Sequence, residues 1–532
     1  NFSKSIYIND VIKILTFQKW LKNKRNFTLT LYSENLKLSR CFKAYCKKNN
    51  IDFEFIMIKN KKVFKPINYK SFLKKTFLLL PHFLSGFLWL IYKIFYNLPL
   101  ILTRPPKIEK DNNELFFISY LFNMKDYDYN SLHSNYWGEL PSKLIKDKKY
   151  SNWIYLYVKD KFLNNPYKAS NFIKKLNNNN HYQNHITLFS FLDLRTIFRV
   201  ISDLLFLNLQ INKIKFHKNF PSYKGFQFWV FFKDDWYDSF LGKSASDNLL
   251  YLSLFEKVFK KCNQNSKISY LLENQGWEIG MLGVCRGFGL NNTIGFSHVG
   301  SRYWDLRNYY DLREFSNKSF LRLPRPGILA VNNKNNLVEF LKLGYPKSEI
   351  CLVEALRHLY LRNNLTANIN LPKIKKSLIV LGDYENTNTK CQLSILNKLP
   401  KNILKNLEII YKPHPASSLN IDEFSSLSMK IREEPLSILL PLADLAFCSS
   451  STSACLDVFS YGIKVIVYRD PNILNLSPLR NYKEVSFVID SFQLEDSIVK
   501  FLTRQLDISS QRTIFELSEG LPLWENLLYK KN

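Results

Sequence analysis

No Walker-type phosphate loop occurs in this chain. The pattern GxxxxGK[ST] is absent, and the glycine cluster Gly280, Gly283, Gly287 and Gly289 has no Lys-Ser or Lys-Thr to complete one. Any phosphate must therefore be held by other means. No CxxC pair occurs either. The eight cysteines (Cys41, Cys46, Cys262, Cys285, Cys351, Cys391, Cys448 and Cys455) lie mostly in apolar surroundings. That fits a reducing compartment in which thiols serve as small buried hydrophobes. No secretory leader, no repeat of solenoid period and no DNA- or RNA-binding module is recognisable. No residue cluster marks a metal site. Acidic residues are scarce, 45 against 75 basic, which leaves a formal charge of +30. The lysines are spread along the whole length. This argues for compositional bias with a diffuse attraction to an anionic membrane face rather than for nucleic acid.

A run long enough to span a bilayer is also missing. Residues 77–92 contain no Asp, Glu, Lys or Arg, but sixteen residues fall short of the ~20 needed. Pro81 and Pro99 interrupt the segment, and Lys74, Lys75, Arg104 and Lys107 flank it. Two readings stand side by side: a helical pair lying in a membrane interface, or a buried helical pair of the core.

What the chain does contain is alternation of strand and helix patterns across 532 residues. Residues 1–60 read as a βαβ unit, and the apolar insertion at about 70–105 interrupts the series. Strands are expected at 114–122, 153–158, 269–272 and 292–297, with a further βαβ unit at 326–354. Residues 186–209 read as mostly helical, and 177–183 as a polar loop. A polar stretch at 362–372 reads as the linker. The fold class is α/β: two facing Rossmann-like domains, 1–365 and 373–515, with a last helix in 516–532 that packs back on the first.

The chemistry concentrates at expected strand ends. The strand 407–411 stops at Lys412-Pro413-His414-Pro415. The strand 443–448 stops at Ser449-Ser450-Ser451-Thr452-Ser453, just before a helix. Ligands of open α/β sheets bind at that carboxyl edge. The two prolines restrict the His414 backbone. One hydroxyl is enough for a helix cap, so five in succession point to phosphate binding as well. Gly382-Asp383-Tyr384 closes the first strand of the second domain. In the first domain, Glu273 follows a strand and precedes Asn274-Gln275-Gly276. A carboxylate there can take a proton from an attacking hydroxyl, whereas Glu278 fits a helix-start acid. His298, beside Gly300 and Arg302, is either a ligand-facing group or a satisfied structural histidine. Asp126-Tyr127-Asp128 matches a loose DxD pattern. The polar-loop reading is favoured there, with Asp126 or Asp128 as the fallback base.

The Lys412-Pro413-His414-Pro415 motif with the Ser/Thr row resembles the HP and S/T motifs of bacterial sialyltransferase-like and Kdo-transferase-like enzymes of the GT-B fold. Several stretches look like a family of surface carbohydrate biosynthesis proteins. They are residues 273–278, 297–307, Val353-Glu354-Ala355-Leu356-Arg357, Ile118-Ser119-Tyr120 and Tyr136-Trp137-Gly138-Glu139-Leu140-Pro141. The resemblance implies an inverting, metal-independent glycosyltransferase without cofactor. It would move a nonulosonate- or Kdo-type 2-keto acid sugar from a CMP-activated donor to a glycan or glycolipid acceptor of surface polysaccharide, lipopolysaccharide or capsule. It implies a cytoplasmic protein, peripheral at the inner face of the plasma membrane. Glu273 would be the base. His414 with Ser450, Ser451, Thr452 and Ser453 would receive the CMP phosphate, helped by Gly382 and Lys412. Arg302 and His298 would face the donor, Arg302 toward its carboxylate. This chain departs from the pattern in following its acid with Asn-Gln-Gly rather than with a second acid. Other readings stay open: a CDP-polyol or UDP-sugar transferase of the same fold, and a non-catalytic membrane-associated scaffold for envelope glycan assembly.

Overall fold

The computed structural model describes the chain except residues 1–4, 22–23, 25–26, 59–79, 107–114, 125–131, 215–221, 301–304, 311–314, 316–322, 363–374, 504–513, 530–532 and a few single positions. The expected linker at 362–372 therefore lies almost wholly outside the described residues.

Parallel strands buried on both faces need near-continuous apolar runs rather than alternation. Such runs build the two main sheets. Ahead of them come the strands β1 (Leu29–Ser33) and β2 (Phe53–Met57), which pair with each other around the helix Leu36–Lys48. This βαβ unit stands apart from the larger sheets. It packs on a short hairpin, β6 (Ser222–Tyr223) and β7 (Phe226–Gln227), where Tyr45 stacks flat on Phe226 at 3.9 Å.

The first large sheet holds β3 (Leu115–Leu121), β4 (Ser151–Tyr157), β5 (Gln183–Thr187), β8 (Lys267–Leu271), β9 (Thr293–Ser297), β10 (Ile328–Val331) and β11 (Ile350–Leu352). Its order is β11-β10-β9-β8-β3-β4-β5, parallel throughout. The second holds β12 (Lys376–Leu381), β13 (Leu407–Lys412), β14 (Met429–Ile431), β15 (Leu445–Ser449), β16 (Lys464–Tyr468) and β17 (Ser486–Val488), in the parallel order β14-β13-β12-β15-β16-β17. Each sheet starts at its centre, grows to one side, then returns and grows to the other. Each therefore has a topological switch point: between β3 and β8 in the first lobe, and between β12 and β15 in the second. Two doubly wound lobes of this kind make a GT-B-like α/β fold.

One strand was not legible. The stretch expected to be loop and helix holds β5, the edge of the first sheet, before the helix Leu194–Ile211 begins. Gln183 and His185 break its apolar run, yet both are buried, Gln183 donating to the Pro141 carbonyl at 2.9 Å and His185 bonding the Tyr155 hydroxyl at 2.8 Å.

The apolar insertion combines features of both readings. Among its described residues are the helices His82–Tyr96 and Leu98–Ile101. One face is core: a Cβ at Gly86 would lie 2.2 Å from the Leu241 carbonyl oxygen, and Asp247 binds the Trp89 indole at 3.0 Å and Lys93 at 3.1 Å. The other face exposes Leu84, Leu88, Phe95 (71%) and Leu102 (71%). The helix Leu194–Ile211 likewise exposes Phe198 and Leu209. No helix among the described residues is long and apolar enough to cross a membrane.

The chain's last helix, Pro522–Tyr529, returns from the second lobe to the first. Its Trp524 is fully buried edge-on against Phe296 (4.9 Å) in the first-lobe core. The buried Glu354 carboxylate accepts the Leu523 and Trp524 backbone N–H groups at 2.8 and 3.0 Å, which satisfies the start of that helix. Trp524→Ala should cost about 3–5 kcal/mol of stability, since it empties a closed site in the first-lobe core. Urea unfolding is the measurement, and an unmoved midpoint would mean that the returning helix contributes nothing to the fold.

Candidate active site

β8 ends at the first-lobe switch point, and the turn after it is built by one acid. Glu278, buried in the helix Gly276–Gly287, accepts the backbone N–H groups of Glu273 (3.1 Å), Asn274 (2.9 Å) and Gln275 (3.0 Å). Asn274 takes a left-handed conformation (φ 55°) to make that turn. Glu278 is thus the helix-start acid, and Glu273 is left pointing elsewhere. The Glu273 carboxylate is about one-third exposed. It accepts from the Tyr120 hydroxyl at the end of β3 and from Gln275 Nε2, both at 3.3 Å. Burial, then the Glu273 charge, push the Tyr120 phenol well up, so it stays a neutral donor.

His298 follows β9 and is 2% exposed. Its Nε2 lies 3.8 Å from Glu273 Oε1, and Tyr136 stands edge-on to its ring at 5.2 Å. Burial, then the charge of Arg357, the neighbouring His358 and the charge of Arg307, push the imidazole down to about 3. It is neutral at pH 7, so the approach to Glu273 is a polar contact and not an ion pair. His298 sits beside the candidate base rather than on an open loop. Arg302, Asp126 and Asp128 lie outside the described residues.

The second-lobe switch point is organised by Asp383, which sequence reasoning passed over. This buried carboxylate accepts the hydroxyls of Ser449 and Ser451, and the Glu385 N–H at 2.9 Å. Asn388 donates to Ser451 Oγ at 3.1 Å. The only signal for it was its position, directly after a glycine at a strand's carboxyl end. The hydroxyl row is correspondingly less open than expected. Ser449, Ser450, Ser451 and Thr452 are buried, and Ser453 is half-buried. Ser453 makes no side-chain cap bond, so the row is not serving as a helix cap. The helix that follows, Ala454–Ser460, has only seven residues.

His414 is half-buried after β13, edge-on to Tyr384 at 5.8 Å, and its carbonyl accepts the Ser417 N–H at 2.9 Å. β12 separates β13 from β15, so His414 and the hydroxyl row stand about 10 Å apart by inter-strand spacing. Both flank the Gly382–Asp383 turn. A Cβ on Gly382 would meet the Tyr411 hydroxyl at 3.0 Å and the His414 nitrogen at 3.3 Å. The glycine is therefore explained by the approach of the His-Pro segment, with no need for a ligand. Lys412 Nζ donates to the Glu433 carbonyl at 3.3 Å, and burial pulls its pKa down against the raising effect of Glu434 and Glu433.

The lobes meet at these edges. A Cβ at Gly300, in the loop after His298, would lie 2.1 Å from Leu456 Cδ1 in the helix after the hydroxyl row, so any larger residue there must displace that leucine side chain. His358, after β11, bonds Asp457 of the same helix at 2.5 Å. A cavity of about 300 Å³ opens between the lobes, with Asn333, Leu456 and Arg480 among its walls. No group of three His, Cys, Asp or Glu that could hold a metal occurs among the described residues.

No sequence family matches the chain, and no curated protein matches it. Solved structures do. A UDP-GlcNAc 2-epimerase from Methanocaldococcus jannaschii is 14% identical with a TM-score of 0.45, over 78% of this chain and 100% of that one. A UDP-GlcNAc 2-epimerase from Neisseria meningitidis, bound to UDP-GlcNAc, is 9% identical with a TM-score of 0.46, over 79% and 100%. A UDP-forming trehalose-phosphate synthase from Burkholderia vietnamiensis is 8% identical with a TM-score of 0.38, over 75% and 93%. Likenesses this distant leave the site to be argued from its own geometry.

The buried histidines give a pH prediction. His298 and His185 are both pushed down to about 3 from an ordinary 6.5. The unfolded chain binds those protons near pH 6.5 and the folded chain only near pH 3, so stability falls as pH drops through that window and nothing is lost above it. Urea unfolding from neutral pH to about pH 4.5 should show the decline, less steep in His298→Asn. An identical slope in that variant would mean that His298 is protonated in the folded protein.

Proposed function

We propose that the chain is an inverting, metal-independent glycosyltransferase that moves a 2-keto acid sugar from a CMP-activated donor to a surface-glycan acceptor. One observation carries the reading. A carboxylate about one-third exposed stands at the first lobe's switch point, an Asp383–serine network flanked by His414 stands at the second's, and loops from both edges touch. That is the placement in-line displacement needs, with a base on one wall and leaving-group binding on the other. Glu273 takes the proton of an acceptor hydroxyl. The hydroxyl oxygen bonds the anomeric carbon, the bond from that carbon to the CMP phosphate oxygen breaks, and its electron pair leaves with CMP. His414, with Ser450, Thr452 and Ser453, receives the departing charge as preorganised donors do. Tyr120 and Gln275 hold Glu273 in place by the bonds described.

Glu273→Gln should lose transfer by about 10²–10⁴-fold while CMP still binds, the range expected for a general base. Unchanged turnover would remove the base assignment. CMP should raise the melting temperature more than CDP or UDP. A larger shift with UDP would redirect the reading to a UDP-sugar transferase of the same fold.

The same reading includes peripheral membrane contact. It is supported by the apolar faces of the helices His82–Tyr96 and Leu194–Ile211 and by the surplus of basic residues. Vesicles with anionic lipid should bind the protein in sedimentation. Phe95→Asp with Phe198→Asp should weaken that binding with the fold intact, whereas equal binding would exclude these faces.

A further inference from the structure

The turn Leu356–Leu361 crosses between the lobes. Leu356 and Leu359 pack in the first-lobe core, Ala355 and Leu361 in the second. His358 fastens it. Its ring lies flat on Phe515 at 4.0 Å, and its Nδ1 bonds Asp457 at 2.5 Å. Asp457 sits on the helix that begins directly after the hydroxyl row. The Nε2 of this buried imidazole has no hydrogen-bond partner among the described residues.

Arg357 precedes it. Its side chain is exposed, and it makes no ion pair or side-chain hydrogen bond with the described residues. Its charge reaches His298, the neighbour of Glu273. Arg307, the other arginine acting on His298, is already committed to Asp305 at 2.8 Å. On a turn fixed to both lobes, next to a buried nitrogen with an open position, there is thus a guanidinium with no ion-pair or side-chain hydrogen-bond partner among the described residues. A planar fork of this kind matches the paired oxygens of a phosphate or a carboxylate.

We propose that Arg357, held in place by the His358–Asp457 pair, binds an oxyanion of the sugar-nucleotide ligand where the two lobes meet. The inference rests on the nucleotide-sugar reading and adds to it a first-lobe anion ligand. His358 acts as a positioning residue.

Calorimetric titration with CMP and cytidine, and with a 2-keto acid sugar and its methyl ester, tests it. If the oxyanion is the phosphate, Arg357→Ala should weaken CMP about 10- to 100-fold and leave cytidine unchanged, the loss of one charge-assisted contact. If it is the sugar carboxylate, the free acid weakens by a similar factor and the ester does not. Arg357→Lys should recover part of either loss, because it keeps the charge without the fork. His358→Ala should lower the same affinity, and Arg357→Ala within that background should add little, since the arginine has already lost its position. Equal affinities of wild type and Arg357→Ala for every probe would overturn the inference and leave the glycosyltransferase reading standing. Should wild type bind no nucleotide, that reading fails. The anion site is then decided by thermal shift with inorganic phosphate: a shift in wild type that Arg357→Ala loses upholds it, and equal responses overturn it.

Discussion

Where a strand leaves a parallel sheet, the N–H groups of the next turn lose their ladder partners, and burying them unsatisfied costs free energy. In this protein three buried carboxylates meet that demand. Glu278 takes the N–H groups of the turn after β8, Glu354 those that open the returning helix, and Asp383 the N–H and hydroxyls beside β12 and β15. Each acid is almost wholly buried and each is surrounded by donors. Such carboxylates are worth having only when fully satisfied, because a missing donor leaves a charge in a low-dielectric interior. The geometry of the interlobe edges follows. Glu278, not Glu273, takes the turn's N–H groups, and Trp524 keeps its place against Phe296 because Glu354 accepts its backbone N–H.

The same economy governs the positive charges near the crevice. Arg307 is neutralised by Asp305, and Lys93, farther away, by Asp247. His298 is kept uncharged by burial and by its cationic neighbours. Against that background a guanidinium such as Arg357, with no carboxylate set against it among the described residues, stands out more than the formal charge of +30 does. The total reflects lysines spread over the surface, where water and salt screen them. A single cation at the seam between two lobes acts at short range.

Much of the architecture was legible because parallel strands leave continuous apolar runs, and residues such as those of β8, β12 and β16 carry them plainly. β5 was not legible, since its polar residues are buried through specific hydrogen bonds that no periodicity reveals. β14, three residues long and half exposed, carries too little pattern to be seen. At the site, residue type pointed to strand ends correctly but could not assign duty there. Gly382, which the resemblance places at the donor site, also lets the His-Pro backbone approach closely. His358 and Asp457 are 99 residues apart in sequence, and nothing local links them. Asp383 lacked any motif, although it organises the row of serines that was noticed.

That last pairing bears on how an anion can be held in the second lobe. Ser449 and Ser451 direct their hydroxyl hydrogens at Asp383. Those hydrogens are therefore not available to a phosphate, and Ser451 Oγ already accepts from Asn388. The buried carboxylate beneath them adds repulsion of its own sign. Two of the five hydroxyls thus serve the protein's own acid, and the seven-residue helix that follows offers a weak dipole at best. A departing phosphate received at this edge needs cationic help from outside the serine network. His414 lies about 10 Å to one side of the row by strand spacing. On the other lobe, the turn carrying Arg357 is joined through His358 to the helix that follows the row. In the proposed reaction, charge balance at the crevice would therefore draw on both lobes together, because the serine network by itself supplies no cation.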